Sequence, residues 1–286
     1  LNSSVPYPPL NAYVPILLAD VFGLDPQGLP YKAALANLHL DHFTQVLDDT
    51  TDGRVPPASA QVHLSHHLLV SGMHLYLSVA PDPRVFSTEL NGYFNEAMRA
   101  ERFLWRHHKA ILRYEDHDFL MVGQRCALVK ASVALFAHAT SKYMVRSPLE
   151  RGLDSLSTAI QLMDDLVDWQ EDWRAEIYTH PIVLAVEKQD VRGPAAVSEE
   201  QLENTLFLDG VSDSVILLVR AFLERARSQF DRSGADVMVS LVDDLMRSLT
   251  HAAEILTSLS KKPPAGPRRR SVIDLLKERM DVRLMH

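Results

Sequence analysis

Side chains that can face a core recur at intervals of three and four along most of the chain. In "YKAALANLHLDHFTQVL", Leu35, Leu38, His42 and Val46 fall near one face, the spacing of an amphipathic helix rather than the alternation of a half-buried strand. No run alternates convincingly, so the pattern predicts an all-α fold. Breakers at Pro30, Pro56-Pro57, Pro81 and Pro83, Ser147-Pro148, Gly193-Pro194 and Gly210 divide it. Helices are expected near 11–23, 31–52, 58–79, 85–112, 116–143, 149–172, 180–188, 199–208, 212–233, 235–260 and 271–284. The segment "SKKPPAGPRRR", 260–270, reads as a basic loop, because three prolines and a glycine forbid a continuous helix. With 286 residues there is ample length for a sizeable core, and a single α-helical domain over 1–286 is expected.

Composition narrows the partners. A formal net charge of -8 argues against nucleic acid, which needs a basic face to displace counterions. The lone Cys126 cannot form an internal disulfide, and the N-terminal stretch lacks the basic-then-apolar pattern of a secretory signal, so a cytoplasmic setting is expected. No run approaches the roughly twenty apolar residues of a membrane span, so an oily substrate would have to reach an internal pocket.

Two short segments stand out. "QVLDDTTDGR" sets Asp48, Asp49 and Asp52 after an apolar run, and "QLMDDLVDWQED" repeats the spacing at Asp164, Asp165 and Asp168, with Asp172 a further turn on. On a helix, aspartates four apart project from one face, ~6 Å apart along the axis, and three like charges there repel one another. Taken singly, each motif reads as a solvated helix end. Written twice, they favour a clamp for Mg²⁺, which takes oxygen ligands and shares them with substrate phosphates. Asp243-Asp244 lacks the third aspartate and reads as ordinary surface charge. His63, His66, His67 and His74 share one helix, but no cysteine or HExxH pattern accompanies them, so zinc is not favoured.

At these residues the chain resembles the trans-prenyl diphosphate synthase and class I terpene synthase superfamily, the isoprenoid-synthase fold, over about 36 to 186. "AIQLMDDLVD" followed by "YTHPIVLAV" is similar to the family's second aspartate helix and the threonine-x-proline helix start after it; Gln161 stands three residues before Asp164, as in that pattern. "ANLHLDHFTQVLDDTTD" is similar to the first motif helix, and "RCALVKASVALFAHAT" to the helix whose cation contacts the diphosphate. The resemblance implies that Asp48, Asp49, Asp52, Asp164, Asp165 and Asp168 carry Mg²⁺ with Gln161 supporting the second cluster. It also implies that Arg125 senses the diphosphate with Lys130 as the alternative, and that Phe43, one turn before Asp48, sets pocket depth. It leaves room for a homodimer.

The departures shape the expected reaction. Elongating members hold a second diphosphate with upstream cations, whereas "PLNAYVPILLA" has none; the arginine pair after the first motif is reduced to Arg54, and Ile177 replaces a lysine. The expectation is therefore a class I terpene synthase that ionises one prenyl diphosphate, of fifteen or twenty carbons, and cyclises or quenches the allylic cation. A prenyl diphosphate synthase or prenyltransferase joining two prenyl diphosphates is the first alternative, and a non-catalytic regulatory homologue the second. A cation cavity would be lined by apolar and aromatic groups, with Phe43, Tyr93, Phe94, Phe136, Trp169 and Trp173 as candidates. The charges of "NEAMRAERFLWRHH" (Glu96, Arg99, Glu101, Arg102, Arg106) are explained by pairing within their helix. Arg268, Arg269 and Arg270 are read as a solvated linker.

Overall fold

The computed structural model describes residues 10–51, 56–189 and 194–261; of these, the side chains at 48, 51, 195 and 259–261 lie outside the description. Among the described residues the structure is helical, with three short 3-10 turns and no strand. The helices are α1 (Leu10–Leu17), α2 (Ala19–Phe22), α3 (Leu29–Thr51), α4 (Ala60–Val79), α5 (Pro83–His108), α6 (Asp118–Gln124), α7 (Lys130–Thr140), α8 (Arg146–Val167), α9 (Trp169–Arg174), α10 (His180–Lys188), α11 (Glu199–Phe207), α12 (Val211–Ser233) and α13 (Asp236–Lys261). The helix expected at 271–284 and residues 262–270 of the expected basic loop fall outside the described residues, while Ser260 and Lys261 end α13.

Local chemistry sets several starts. The Asp82 carboxylate accepts from the backbone N–H groups of Arg84 at 2.9 Å and Val85 at 3.2 Å, with Pro83 in the first turn of α5. Ser198 and Gln201 form a reciprocal capping box on α11. Two expected boundaries move for a related reason. Pro30 and Pro148 sit inside the first turns of α3 and α8, where a missing N–H costs no intrahelical bond; α8 therefore begins at Arg146, ahead of the anticipated breaker.

Two expected helices divide. The stretch at 116–143 becomes α6 and α7, bent by 57° and joined through a 3-10 turn at Ala127–Val129, which leaves Arg125 and Cys126 in the junction. The stretch at 149–172 breaks at Asp168, whose backbone leaves the helical range while Trp169 turns fully into the core against Phe207.

The buried side chains form one continuous cluster from Val14 to Leu256, with Trp169, Tyr76, Phe22, Phe86, Phe136 and Phe230 among its largest members. Helix α8 packs most extensively against α12 and also against α6, while α3 packs against α4 and α1. The inward face of α3 is Ala33, Ala36, Asn37 and Leu40, a rotation away from the expected face of Leu35, Leu38, His42 and Val46. Small residues win because α4 comes close: a Cβ on Gly72 would sit 2.9 Å from Leu40 Cγ and 3.0 Å from the Ala36 carbonyl oxygen. The α6–α8 seam is tighter. A Cβ on Gly123 would overlap the Asp154 carbonyl oxygen and the Thr158 hydroxyl. Among the described residues no single helix is long and apolar enough to cross a membrane.

Candidate active site

Helices α3 and α8, which carry the two aspartate motifs, both line a cavity of about 370 Å³. Its walls mix aliphatic side chains (Leu10 and Val14 of α1, Leu40 of α3, Leu128 in the junction, Leu153 and Leu156 of α8) with polar ones such as Asn37, Asp41, Thr44, Gln45, Glu101 and Ser157. A second chamber of about 490 Å³ is polar, walled by Asp164, Asp165, Asp168, Glu171, Asp172 and Thr179. Arg125, Gln161 and Asp164 line both spaces. Each lies in the volume range of small-molecule sites.

The break in α8 builds the polar chamber. The Asp168 N–H donates to the Asp164 carbonyl oxygen at 2.8 Å and the Asp172 N–H to the Asp168 carbonyl oxygen at 3.0 Å, so across the break, with Trp169 anchored in the core, α9 keeps Glu171 and Asp172 on the chamber wall. Gln161 Nε2 donates to Asp165 Oδ1 at 2.9 Å, one turn along α8. Burial pushes the Asp165 carboxyl up to about 7; Asp164 and Asp168 repel its charge, while the Gln161 hydrogen bond and Arg125 partly offset the rise. A buried acid held this far from its ordinary range beside like charges is a functional-site signature.

Of the first motif, Asp49 is half-buried near the end of α3; the Asp48 side chain and all of Asp52 and Arg54 lie outside the described residues. Arg125 ends α6 with its Nε donating to Glu101 Oε1 at 2.6 Å. Lys130 takes a different place from the substrate contact considered for it. It is 4% exposed, and its ammonium donates to Glu96 Oε1 at 2.5 Å and Asp154 Oδ1 at 2.8 Å, away from both cavity walls. Phe43 likewise does not line the cavity. Its ring lies 6.4 Å from that of His66 on α4, and the cavity face of α3 is Asn37, Leu40, Asp41, Thr44 and Gln45.

The other expected aromatics are also elsewhere. Phe136 and Trp169 are fully buried in the core, Tyr93 donates to Glu150 Oε1 at 2.5 Å, Phe94 packs on the core, and Trp173 lies edge-on to Tyr178. The acids of α5 correct the intrahelical reading as well, since Glu96 and Glu101 reach across to Lys130 and Arg125. Asp243 and Asp244 pair with Arg227 and Arg247, as surface charges do.

Several site residues went unrecognised in the sequence. Asp41 stands seven residues before Asp48, the same α3 stripe two turns away, and Asn11 Nδ2 donates to its Oδ1 at 2.9 Å. Tyr76 donates to Asn37 Oδ1, and Asn37 Nδ2 donates to the Asn11 carbonyl oxygen at 2.8 Å, a bridge between α4, α3 and α1 at the cavity wall. Thr179 precedes α10 in the capping position, yet its buried hydroxyl makes no cap and has no hydrogen-bond partner; nor does the Tyr114 hydroxyl or His180 Nδ1. His180 opens α10 wedged edge-on against Tyr114 and Phe119, and its pKa falls to about 4, first through burial and then through Arg113.

Among the described residues no three carboxylates, histidines or cysteines converge closely enough to hold a metal ion alone. The donor chemistry nevertheless fits a hard divalent cation completed by phosphate oxygens and water: one chamber gathers only carboxylates as anionic donors, with an unsatisfied hydroxyl on its wall.

No family model matches the sequence, and no curated protein matches it. Solved structures do match its shape. A polyprenyl synthase from Caulobacter crescentus CB15, complexed with calcium and isoprenyl diphosphate, superposes with a TM-score of 0.67 at 15% identity over 82% of this chain and 83% of that one. A polyprenyl synthase from Roseobacter denitrificans gives 0.67 at 18% identity over 83% and 84%. A geranylgeranyl pyrophosphate synthetase from the archaeon Geoglobus acetivorans gives 0.64 at 19% identity over 83% and 84%.

Proposed function

Because the chain carries the isoprenoid-synthase fold, we propose that it ionises an allylic prenyl diphosphate and passes the prenyl group to an acceptor, as a prenyltransferase. The observation that carries this reading is the pair of spaces that share a wall. An acidic chamber suits a metal-bound diphosphate, the aliphatic side chains of the other cavity suit a prenyl chain, and Arg125, Gln161 and Asp164 line both. The prenyl synthases matched in shape support transfer over cyclisation, and the lack of aromatic residues on the cavity wall, among the described residues, agrees.

In this mechanism Asp164, Asp165 and Asp168 would hold Mg²⁺ with Asp48, Asp49 and Asp52 as the proposed facing set. The metal, when bound, neutralises the diphosphate and eases its departure. Arg125, oriented by Glu101, places its guanidinium at the junction where charge develops on the leaving oxygen. Gln161 donates to Asp165 and orients its carboxylate, and Leu40, Leu153 and Leu156 offer apolar surface to the prenyl chain.

One observation favours the second reading, cyclisation of a single substrate. Helix α1 presents Leu10, Asn11 and Val14 to the cavity, and among the described residues Arg125 and Arg174 are the Lys or Arg side chains on either wall; Arg174 is already paired with Glu199. Incubation with geranyl, farnesyl and geranylgeranyl diphosphate and Mg²⁺, with and without isopentenyl diphosphate, separates the readings. Transfer gives a product containing an acceptor, cyclisation gives a ring from one substrate, and absence of diphosphate release from all of them rejects both.

A further inference from the structure

Asp41 is a carboxylate on the wall of the first cavity, two turns along α3 from Asp48. The side chain lies on the cavity wall with both oxygens occupied: Asn11 Nδ2 donates to Oδ1 and Gln45 Nε2 to Oδ2, each at 2.9 Å. Burial raises the pKa of this carboxyl, opposed first by the Asn11 hydrogen bond and then by His42. Asp41 is also not isolated. Across the same cavity Ser157 stands seven residues before Asp164, as Asp41 does before Asp48, so each motif helix carries a polar group two turns from its aspartates. Asn11 and Cys126 line the same wall, so polar groups run from α3 through α1 and the α6–α7 junction to α8.

The two amide hydrogen bonds offset the desolvation of Asp41. A carboxylate offers about four acceptor positions, and the two amides satisfy half of them. What completes the set is a hydrogen-bond donor. A second diphosphate is a poor fit, since Asp41 and Glu101 both face the cavity and would repel it, with Arg125 already bonded to Glu101.

We propose that Asp41 is the proton acceptor for a water molecule that captures the prenyl cation in this cavity. The proposal rests on the ionisation reading above and specifies its acceptor. The bond between the allylic carbon and the diphosphate oxygen breaks, and its electron pair leaves with diphosphate. A lone pair of water forms the new carbon–oxygen bond, and the released proton passes to the Asp41 carboxylate and then to solvent. The products are a prenyl alcohol and diphosphate. Asn11 and Gln45 are positioning residues that fix the carboxylate plane. The charged or titratable groups sharing this wall are Glu101, Arg125, Cys126 and Asp164, with His42 adjacent on α3.

The test is turnover of geranyl, farnesyl and geranylgeranyl diphosphate with Mg²⁺ in ¹⁸O-labelled water, with and without isopentenyl diphosphate, read by diphosphate release and mass spectrometry. The wild-type protein is expected to give a single labelled alcohol isomer. Asp41→Asn should lower the alcohol share about 100-fold, the scale of a lost general base, in favour of olefin, and Asp41→Glu should restore part of it. A longer diphosphate, or the same product mixture from wild type and Asp41→Asn, overturns the proposal. If Asp41→Asn does not fold, Gln45→Met serves: a several-fold fall in alcohol share is expected, and an unchanged share overturns it. Absence of diphosphate release from every substrate overturns the ionisation reading and this one together, and is distinguished by that assay from a failure at Asp41 alone.

Discussion

Arg125 and Glu101 meet across the space between the end of α6 and α5, with Nε 2.6 Å from Oε1; Arg125 lines both chambers and Glu101 the first. A side chain at a helix end beside a bend would otherwise sample many rotamers, and the carboxylate fixes it. Arg125→Ala should therefore reduce diphosphate release about 100-fold, the scale of a lost donor to a developing oxyanion. Arg125→Lys should recover little, because an ammonium cannot reproduce the planar fork. Glu101→Gln should have a smaller effect on kcat, since it loosens the guanidinium without removing it. Steady-state kinetics on the three variants checks this order.

Asp165 and His180 give the metal-free protein opposed pH dependences. The folded Asp165 pKa of about 7 lies above its ordinary 3.8, so the folded state binds more protons between these values and stability falls as pH rises through that window. The folded His180 pKa of about 4 lies below its ordinary 6.5, so the unfolded state binds more protons there and stability rises with pH. Asp165→Asn removes the first effect. It should stabilise the metal-free protein at pH 7.5 by on the order of 1 kcal/mol or more, and expose a rise in stability between pH 4 and 6.5. Urea unfolding at each pH measures both; a variant less stable than wild type at pH 7.5 would contradict the burial argument.

Thr179 carries a buried hydroxyl with no partner on the wall of the acidic chamber. Thr179→Val should raise stability by about 1 kcal/mol, the cost of an unsatisfied buried group. It should also weaken binding of inorganic diphosphate in the presence of Mg²⁺ about fivefold, the weight of one hydrogen bond. Thermal unfolding and calorimetric titration, run in parallel, should move in opposite senses.

Gly123→Ala forces a methyl into the Asp154 carbonyl and Thr158 hydroxyl. An overpacked contact of this kind costs about 1–3 kcal/mol, and for a chain of this size Tm should fall by about 2–5 °C. Differential scanning calorimetry tests it. Because this seam holds α6 against α8, turnover should fall as well, through displacement of Arg125 from Asp164.

The all-α class and the second aspartate helix were legible because each depends on local spacing, a repeat of three and four and aspartates one turn apart, whereas Arg125 was reached through the family resemblance. What depends on direction was not legible. The inward face of α3 was misread because Ala33 and Ala36 carry little hydrophobic signal, although close approach of Gly72 on α4 selects them. Phe43 and Lys130 were assigned to the pocket by distance from a motif, but their directions are set by His66 and by Glu96 with Asp154. The break at Asp168 was hidden because DDLVDWQED has good helical periodicity, and only the burial of Trp169 interrupts it. Asp41 did carry a signal, its place on the Asp48 stripe, but one aspartate amid leucines reads as a solvated side chain until the cavity beside it is seen.

The wall common to both chambers also bears on how such a protein can change over generations. Under the proposed function, substitutions at Arg125, Gln161 or Asp164 would alter head-group capture and chain accommodation together, so that selection on either trait would constrain both. Leu128, Leu153 and Leu156 line only the first cavity. Drift at those three positions can diversify products while ionisation is preserved, which makes them the productive starting points for a laboratory library and the partition residues the ones to hold constant.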